Sequence, residues 1–225
     1  MRSGDGRTRI DLSHVVEDGM STYPGLPGPI VCDYLTRERS RTLYAAGTEF
    51  QIGVVTLCAN TGTYVDSPFH RYPDGIDLAE LPLDRLADLD AVVVDQPDGA
   101  RAITAAAFDG IELAGRAVLV RTGWQRHWRT PAYMQGHPFL TADAASLLVA
   151  SDARMVGIDS LNIDDTPHGG ERPVHSILLA AGIPICEHLA DLSALPRHGF
   201  RFSAVPVPVR GMGTFPVRAY ATIGS

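Results

Sequence analysis

Lysine is absent from this chain. All 19 of its basic side chains are arginine, set against 26 Asp and Glu in 225 residues, for a net charge of −7. Without lysine there is no Schiff-base chemistry, no lysine general base and no phosphate-cradling P-loop lysine. The arginines are scattered and form no basic stripe, which excludes nucleic acid as the expected partner. Cysteine is scarce too. Cys32, Cys58 and Cys186 form no Cys-x-x-Cys pair and are odd in number, so free thiols in a reducing cytoplasm are expected rather than a disulfide framework. No stretch approaches the roughly 18 apolar residues of a membrane span, and the opening MRSGDGRTRIDLSH lacks the apolar core of a signal peptide. The expectation is a cytoplasmic protein with a small-molecule partner and no membrane.

What is present suits a packed domain: 45% hydrophobic and 20% charged residues, in a length that buries a core without staples. With no repeat and no long linker, residues 1–225 read as one domain, with polar residues 1–9 frayed. Ile10 to Pro29 is loop-rich. Strands are expected at Phe50–Cys58, Ala91–Asp95, Ala117–Arg121, Arg154–Asp159, Ile183–Glu187 and Phe202–Val209, the last an edge strand or irregular because of Pro206 and Pro208. Helices are expected after Thr104, after Thr141 and from Pro173, with Gly182 as the last one's stop. Strands alternating with helices give an α/β fold, and the strand-rich first half favours a mixed sheet with flanking helices.

Two pairs of residues carry chemistry. Asp66 and His70 lie four apart in a loop bent by Pro68. They suit a metal site or an acid/base couple, or equally a turn cap beside an ordinary histidine. His175 opens the last helix, and Glu187 closes the apolar run Ile183-Pro184-Ile185-Cys186. A carboxylate ending a buried strand demands a positive or hydrogen-bonding partner, and the Ala181-Gly182 turn lets strand and helix converge. The pair is either functional or a structural His–Glu contact. Arg121 and Trp124 end a strand, as an anionic or planar substrate would need, or as a core plug and a surface Arg. His127, His137, His168 and His198 read as solvated, and His14 is ambiguous. The cysteines read as structural.

From Asn60 to His70 the chain reads N-T-G-T-Y-V-D-S-P-F-H. This resembles the motif H-x-G-T-H-x-D-x-P-x-H of the cyclase-like metal-dependent hydrolase family, the bacterial kynurenine formamidase and isatin hydrolase type. Further landmarks fall in order: Asp11-Leu12-Ser13, Tyr23-Pro24-Gly25, Arg121-Thr122-Gly123-Trp124, Gly157-Ile158-Asp159, His175 with Glu187, and Phe215-Pro216-Val217-Arg218-Ala219. The resemblance implies a swivelling β/β/α-type fold and a homodimer or homotetramer. It also implies a divalent metal, zinc or manganese, with Asp66, His175 and Glu187 as ligands and His70 as proton carrier. The first two motif histidines are replaced by Asn60 and Tyr64. Imidazole is a good zinc ligand, whereas Asn oxygen and neutral Tyr are poor ones. Either one metal stays on Asp66, His175 and Glu187, or none does.

Three functions follow. The first is a hydrolase opening an amide, lactam, lactone or ester in a small cyclic or aromatic substrate. The second is a metal-independent cyclase, lyase or isomerase, with His70 and the carboxylates moving protons, Asn60 orienting a carbonyl and Tyr64 donating to an oxyanion. The third is a non-catalytic small-molecule binding protein.

Overall fold

The structure, a computed structural model, describes residues 6–96, 99–167 and 169–224. In chain order its strands and helices begin with β1 (Thr8–Asp11), β2 (Ile30–Leu35), α1 (Arg37–Ser40), β3 (Ile52–Thr56), β4 (Tyr64–Asp66), β5 (Leu89–Asp95) and β6 (Ala102–Ile103). Then follow β7 (Ala117–Arg121), β8 (Phe139–Leu140), α2 (Ala142–Ala150), β9 (Met155–Ile158), α3 (Pro173–Ala180) and β10 (Ile185–Glu187). The chain closes with β11 (Phe200–Ser203), β12 (Thr214–Pro216) and β13 (Tyr220–Ile223).

Nine of these strands form one mixed sheet in the order β1-β13-β11-β5-β7-β9-β10-β4-β12. Its centre, β5-β7-β9-β10, is parallel. Both faces of that centre are covered, which is why its strands read as nearly unbroken apolar runs. Alternate residues serve two cores. Val92, Val94, Val118, Val120, Val156 and Ile158 face α2 and α3, meeting Ala144, Leu148, Val174 and Leu178. Ala91, Val93, Ala117, Leu119, Met155 and Cys186 face the other way, against Val65, Phe200 and Phe202. That second core lies inside a curl of the sheet. Leu12, just after edge strand β1, bonds to Ala219 (2.9 Å) and receives the Ala190 N–H (2.8 Å) from beyond β10. Gly157 is needed inside this curl, because a Cβ there would stand 2.8 Å from the side chains of both Leu119 and Leu189.

The structure thus has the expected α/β class with a mixed sheet and few helices, and it corrects several local expectations. Thr8 and Arg9 are not frayed; they pair with Ile223 and Thr222. β11 is an inner strand between β13 and β5, ending at Ser203 before the two prolines. The segment after Thr104 makes a single 3-10 turn, Ala105–Phe108. Thr141 does precede α2, but its hydroxyl donates to the Ile103 carbonyl (3.1 Å) rather than capping. β2 and β3 form a separate two-stranded ribbon outside the sheet. No helix among the described residues is long and apolar enough to cross a membrane.

Candidate active site

The Cys58–Thr63 loop is shaped by its own Thr-Gly-Thr. The Thr63 hydroxyl accepts the His14 N–H (3.0 Å) and donates to the His188 carbonyl (2.6 Å), tying the N-terminal segment to β10. Gly62 sits at φ +66, where a side chain is strained, and its N–H is held by Thr22. The chain then enters β4, wedged between β10 and β12. Register sets Tyr64 opposite Glu187 and Asp66 opposite Ile185 on one side, with Asp66 opposite Thr214 on the other. Alternation sends Val65 and Cys186 into the inner core and leaves Tyr64, Asp66 and Glu187 on the α3 face.

His175 arrives from the first turn of α3, which Asp164 holds. Asp164 accepts the backbone N–H groups of Val174 (2.8 Å) and His175 (3.0 Å) and the His175 Nδ1–H (2.7 Å). That fixes the ring and turns Nε2 toward Asp66 Oδ2 (3.6 Å) and Glu187 Oε1 (3.8 Å). The α3 end runs straight into β10 through Gly182 (φ +71), with Ile183 N–H on the Leu178 carbonyl (3.0 Å). Burial alone would lower the His175 pKa; Asp164, Asp66 and Glu187 together push it up to about 10. Glu187 is pushed up to about 7 by burial, against the lowering pull of His175.

The donor set fits a divalent cation. Asp66 Oδ2 is buried and has no hydrogen-bond partner. The ligand atoms of Asp66, His70 and His175 lie within 4.8 Å of one another, a triad that takes in His70, while Glu187 Oε1 approaches the same His175 Nε2 at 3.8 Å. Bonds of about 2.0–2.2 Å around one ion set neighbouring donors roughly 3–3.5 Å apart, close to the 3.6 and 3.8 Å seen about His175 Nε2. The Asp164 contact to Nδ1 is the kind of second partner that orients a metal-binding imidazole.

Tyr64 is spent differently. It is fully buried, donates its hydroxyl proton to Glu187 Oε2 (2.5 Å), and lies 3.0 Å from the Tyr23 hydroxyl. Its proton therefore goes to a carboxylate and is not free for an oxyanion. Burial raises its pKa well above the usual phenol value, so it is neutral. Tyr23 gives its own proton to the Leu161 carbonyl (2.6 Å) and accepts from Asn162 Nδ2 (3.1 Å). It must also accept from His188 Nε2 (3.1 Å), whose Nδ1 then accepts from Tyr133 (2.8 Å). His188, just after β10, sits at φ +53, a left-handed conformation costly for a side chain and held here by those contacts. Burial keeps it neutral. Trp128 stands edge-on to Tyr133 and His188, and His14 stacks on it at 4.0 Å.

Asn60 is half-buried in the loop before β4. Arg121 is committed elsewhere. It pairs with Asp95 (2.6 Å) and bonds the Leu192 (3.2 Å) and Leu195 (3.5 Å) carbonyls. Trp124 donates to the Tyr133 carbonyl (3.0 Å). The Thr122-Gly123 turn between them wraps Asp159, which accepts both backbone N–H groups and the Thr122 hydroxyl. These contacts, like the pairing of Asp11 with Arg218 (2.6 Å), tie neighbouring segments together. His137 is buried, not solvated, and bonds the Asp164 carbonyl (2.9 Å). His127 is half-buried and His198 exposed; His168 lies outside the described residues. The sequence reading missed Tyr23, Tyr133, Asn162, Asp164, His188 and Thr214. Tyr23 stood in a landmark of the resemblance without a role given to it, and His188 carried a local signal, a second polar residue directly after Glu187 at the end of a buried strand.

Comparison with known proteins agrees with this architecture. The Cyclase family model matches residues 10–165. The chain is 28% identical over 222 residues to the kynurenine formamidase of Bacillus cytotoxicus, covering 93% of this chain and 95% of that one. It is 26% identical over 213 residues to that of Geobacillus thermodenitrificans, with the same coverage of 93% and 95%. Among solved structures, isatin hydrolase A from Labrenzia aggregata bound to benzyl benzoate superposes with a TM-score of 0.81 at 22% identity, over 97% of this chain and 94% of that chain. A potential metal-dependent hydrolase with cyclase activity gives 0.79 at 23%, over 97% and 99%. These structures share the fold, and with the match over residues 10–165 the chain belongs to the Cyclase family.

Proposed function

We propose that this Cyclase-family hydrolase opens a C–N or C–O bond next to a carbonyl in a small cyclic or aromatic substrate, with one divalent cation, zinc or manganese, on Asp66, His175 and Glu187. The observation that carries this reading is the buried, unpartnered Asp66 Oδ2 aimed at His175 Nε2, with Glu187 Oε1 beyond it. A cation held there polarises the carbonyl and eases deprotonation of water. The chain's own groups do the rest. Asp164 keeps the His175 lone pair directed at the site. Tyr64 and Asn162 hold Glu187 Oε2, and the Ile163 N–H (2.6 Å) fixes Oε1, the oxygen nearer His175 Nε2. His70, with its side chain 35% exposed, stands at the rim to take a proton from water and return it to the leaving group. Amide, lactam, lactone and ester bonds are the substrate class, which covers a formamide such as N-formylkynurenine and a lactam such as isatin.

The experiment is zinc titration of chelator-stripped protein beside turnover of N-formylkynurenine, isatin and a p-nitrophenyl ester. His175→Ala is expected to lose both cation binding and turnover, and His70→Ala to lose turnover alone. Equal zinc affinity in wild type and His175→Ala overturns the ligand set. A cation-free reading draws on Glu187, whose pKa of about 7 suits proton transfer near neutrality; undiminished turnover in EDTA would favour it.

The assembly belongs to the same proposal. The β2-β3 ribbon exposes apolar residues on both faces, with Ile30 and Val55 each 57% exposed. A lone hairpin is marginal in water, and a second copy of this chain is the partner proposed to cover it.

A further inference from the structure

Thr214 lies beside the site but took no part in the proposed ligand set. It sits at the start of β12, buried, directly across from Asp66. Its hydroxyl donates to Asp66 Oδ1 in a short hydrogen bond, and the same oxygen lies 2.8 Å from His70 Nδ1. A threonine hydroxyl has one proton. With that proton on the carboxylate, Oγ1 can only accept, so His70 Nδ1 must carry a hydrogen. We infer that Thr214 is a positioning residue that fixes His70 as its Nδ1–H tautomer and presents the Nε2 lone pair as the base.

The backbone is built for this contact. A Cβ on Gly213 would stand 2.3 Å from the His70 nitrogen and 2.4 Å from its Cα, so only glycine lets β12 press this close against the Pro68–His70 turn. The Ser67 N–H bonds the Gly213 carbonyl (2.7 Å), and the Leu78 N–H bonds that of Met212 (3.0 Å), which pins the strand on both sides. Thr214 and His70 are thus held by main-chain contacts that do not depend on either side chain. When His70 takes a proton on Nε2, its Nδ1–H keeps the threonine oxygen, and that Nδ1 stays 3.7 Å from Asp66 Oδ1. Proton uptake then needs no ring rotation and no change of hydrogen-bond partner.

The inference rests on His70 as the proton carrier, and its test separates the two ideas. Two-bond nitrogen–proton correlation spectra of histidine-labelled protein report which ring nitrogen is protonated, with His70→Gln assigning the signal. Wild type is expected to show Nδ1–H and a bare Nε2. Thr214→Val keeps the β-branched shape and removes the acceptor. It is expected to move His70 toward the Nε2–H form and to lower kcat tenfold or more at unchanged KM. The upper limit is the roughly 10²–10⁴-fold that a positioned base supplies. Thr214→Ser is expected to restore both tautomer and rate. An Nε2–H signal in wild type overturns the inference, even if the valine variant fails to fold. So does a valine variant with the wild-type tautomer. If the tautomer shifts as expected while neither Thr214→Val nor His70→Ala slows turnover, the base assignment of His70 fails and the positioning by Thr214 stands.

Discussion

Replacing Asp164 with asparagine tests the cation site without touching a proposed ligand. Asp164 receives three N–H bonds, from the backbone of Val174 and His175 and from His175 Nδ1. Asparagine keeps one oxygen for the helix end but turns an amide NH₂ toward the imidazole, where donor meets donor. The ring must then flip or move its proton to Nε2, the atom that faces Asp66 and Glu187. A hydrogen bond to a charged group contributes about 1.5–3 kcal/mol. Partners behind a ligating histidine are worth about 10–100-fold in metal affinity or activity, or roughly 1.4–2.8 kcal/mol, since tenfold is about 1.4. The two magnitudes agree. Loss of the helix-end contact adds about 1 kcal/mol of instability. The assay is competition for zinc against a chromophoric chelator, with thermal melts of the cation-free protein alongside. The expected result is a Kd raised 10–100-fold with a modest fall in Tm. A Kd within twofold of wild type in a folded Asp164→Asn protein would refute the claim that His175 is a ligand oriented by Asp164.

In the cation-free protein, the folded-state pKa of His175 is raised from 6.5 to about 10. Its stabilisation is full below the unfolded value, declines as pH rises, and is gone above the folded value. Stability in EDTA should therefore fall by about 1.4 kcal/mol per pH unit between pH 7.5 and 9.5; chemical denaturation at three pH values measures it, and a slope no steeper than that of His175→Gln counts against it. Arg121→Ala should destabilise the fold by about 1–2 kcal/mol through its lost carboxylate and carbonyl bonds and leave KM unchanged; a raised KM would return Arg121 to the substrate. Val31→Asp with Val55→Asp, a facing pair in the ribbon, should convert the assembly to monomers in size-exclusion chromatography with light scattering. Wild type that already runs as a monomer would sink the assembly proposal.

The parallel centre of the sheet was legible because strands covered on both faces are almost uniformly apolar, as Ala91–Asp95 and Ala117–Arg121 are. The edges were not. β12 contains Pro216, and β1 alternates Thr, Arg and Asp with a single Ile, so neither carries a strand signal of its own; each forms only because its partner is already placed. The site divides in the same way. Asp66, His70, His175 and Glu187 stood out through spacing and position. Asp164, Tyr23, His188 and Thr214 act through partners that sequence distance hides, Thr214 lying 144 residues from His70. The Arg121–Asp95 pair was not legible, because a cation at a strand end looks the same whether it faces solvent or folds back on a carboxylate.

The strands that close the sheet come from opposite ends of the chain. β13 returns to pair with β1, and β12 returns to pair with β4. Every proposed ligand is translated before Thr214, although Glu187 precedes it by only 27 residues. Until then β4 has one open edge and Asp66 lacks its hydroxyl neighbour. A chain lacking β12 and β13 would leave β1 and one edge of β4 unpaired, and such long-range closure is the slow kind. Activity should appear only with docking of the C-terminal strands, and a protease that clips just after β11 would silence the enzyme while leaving the parallel centre of its sheet in place.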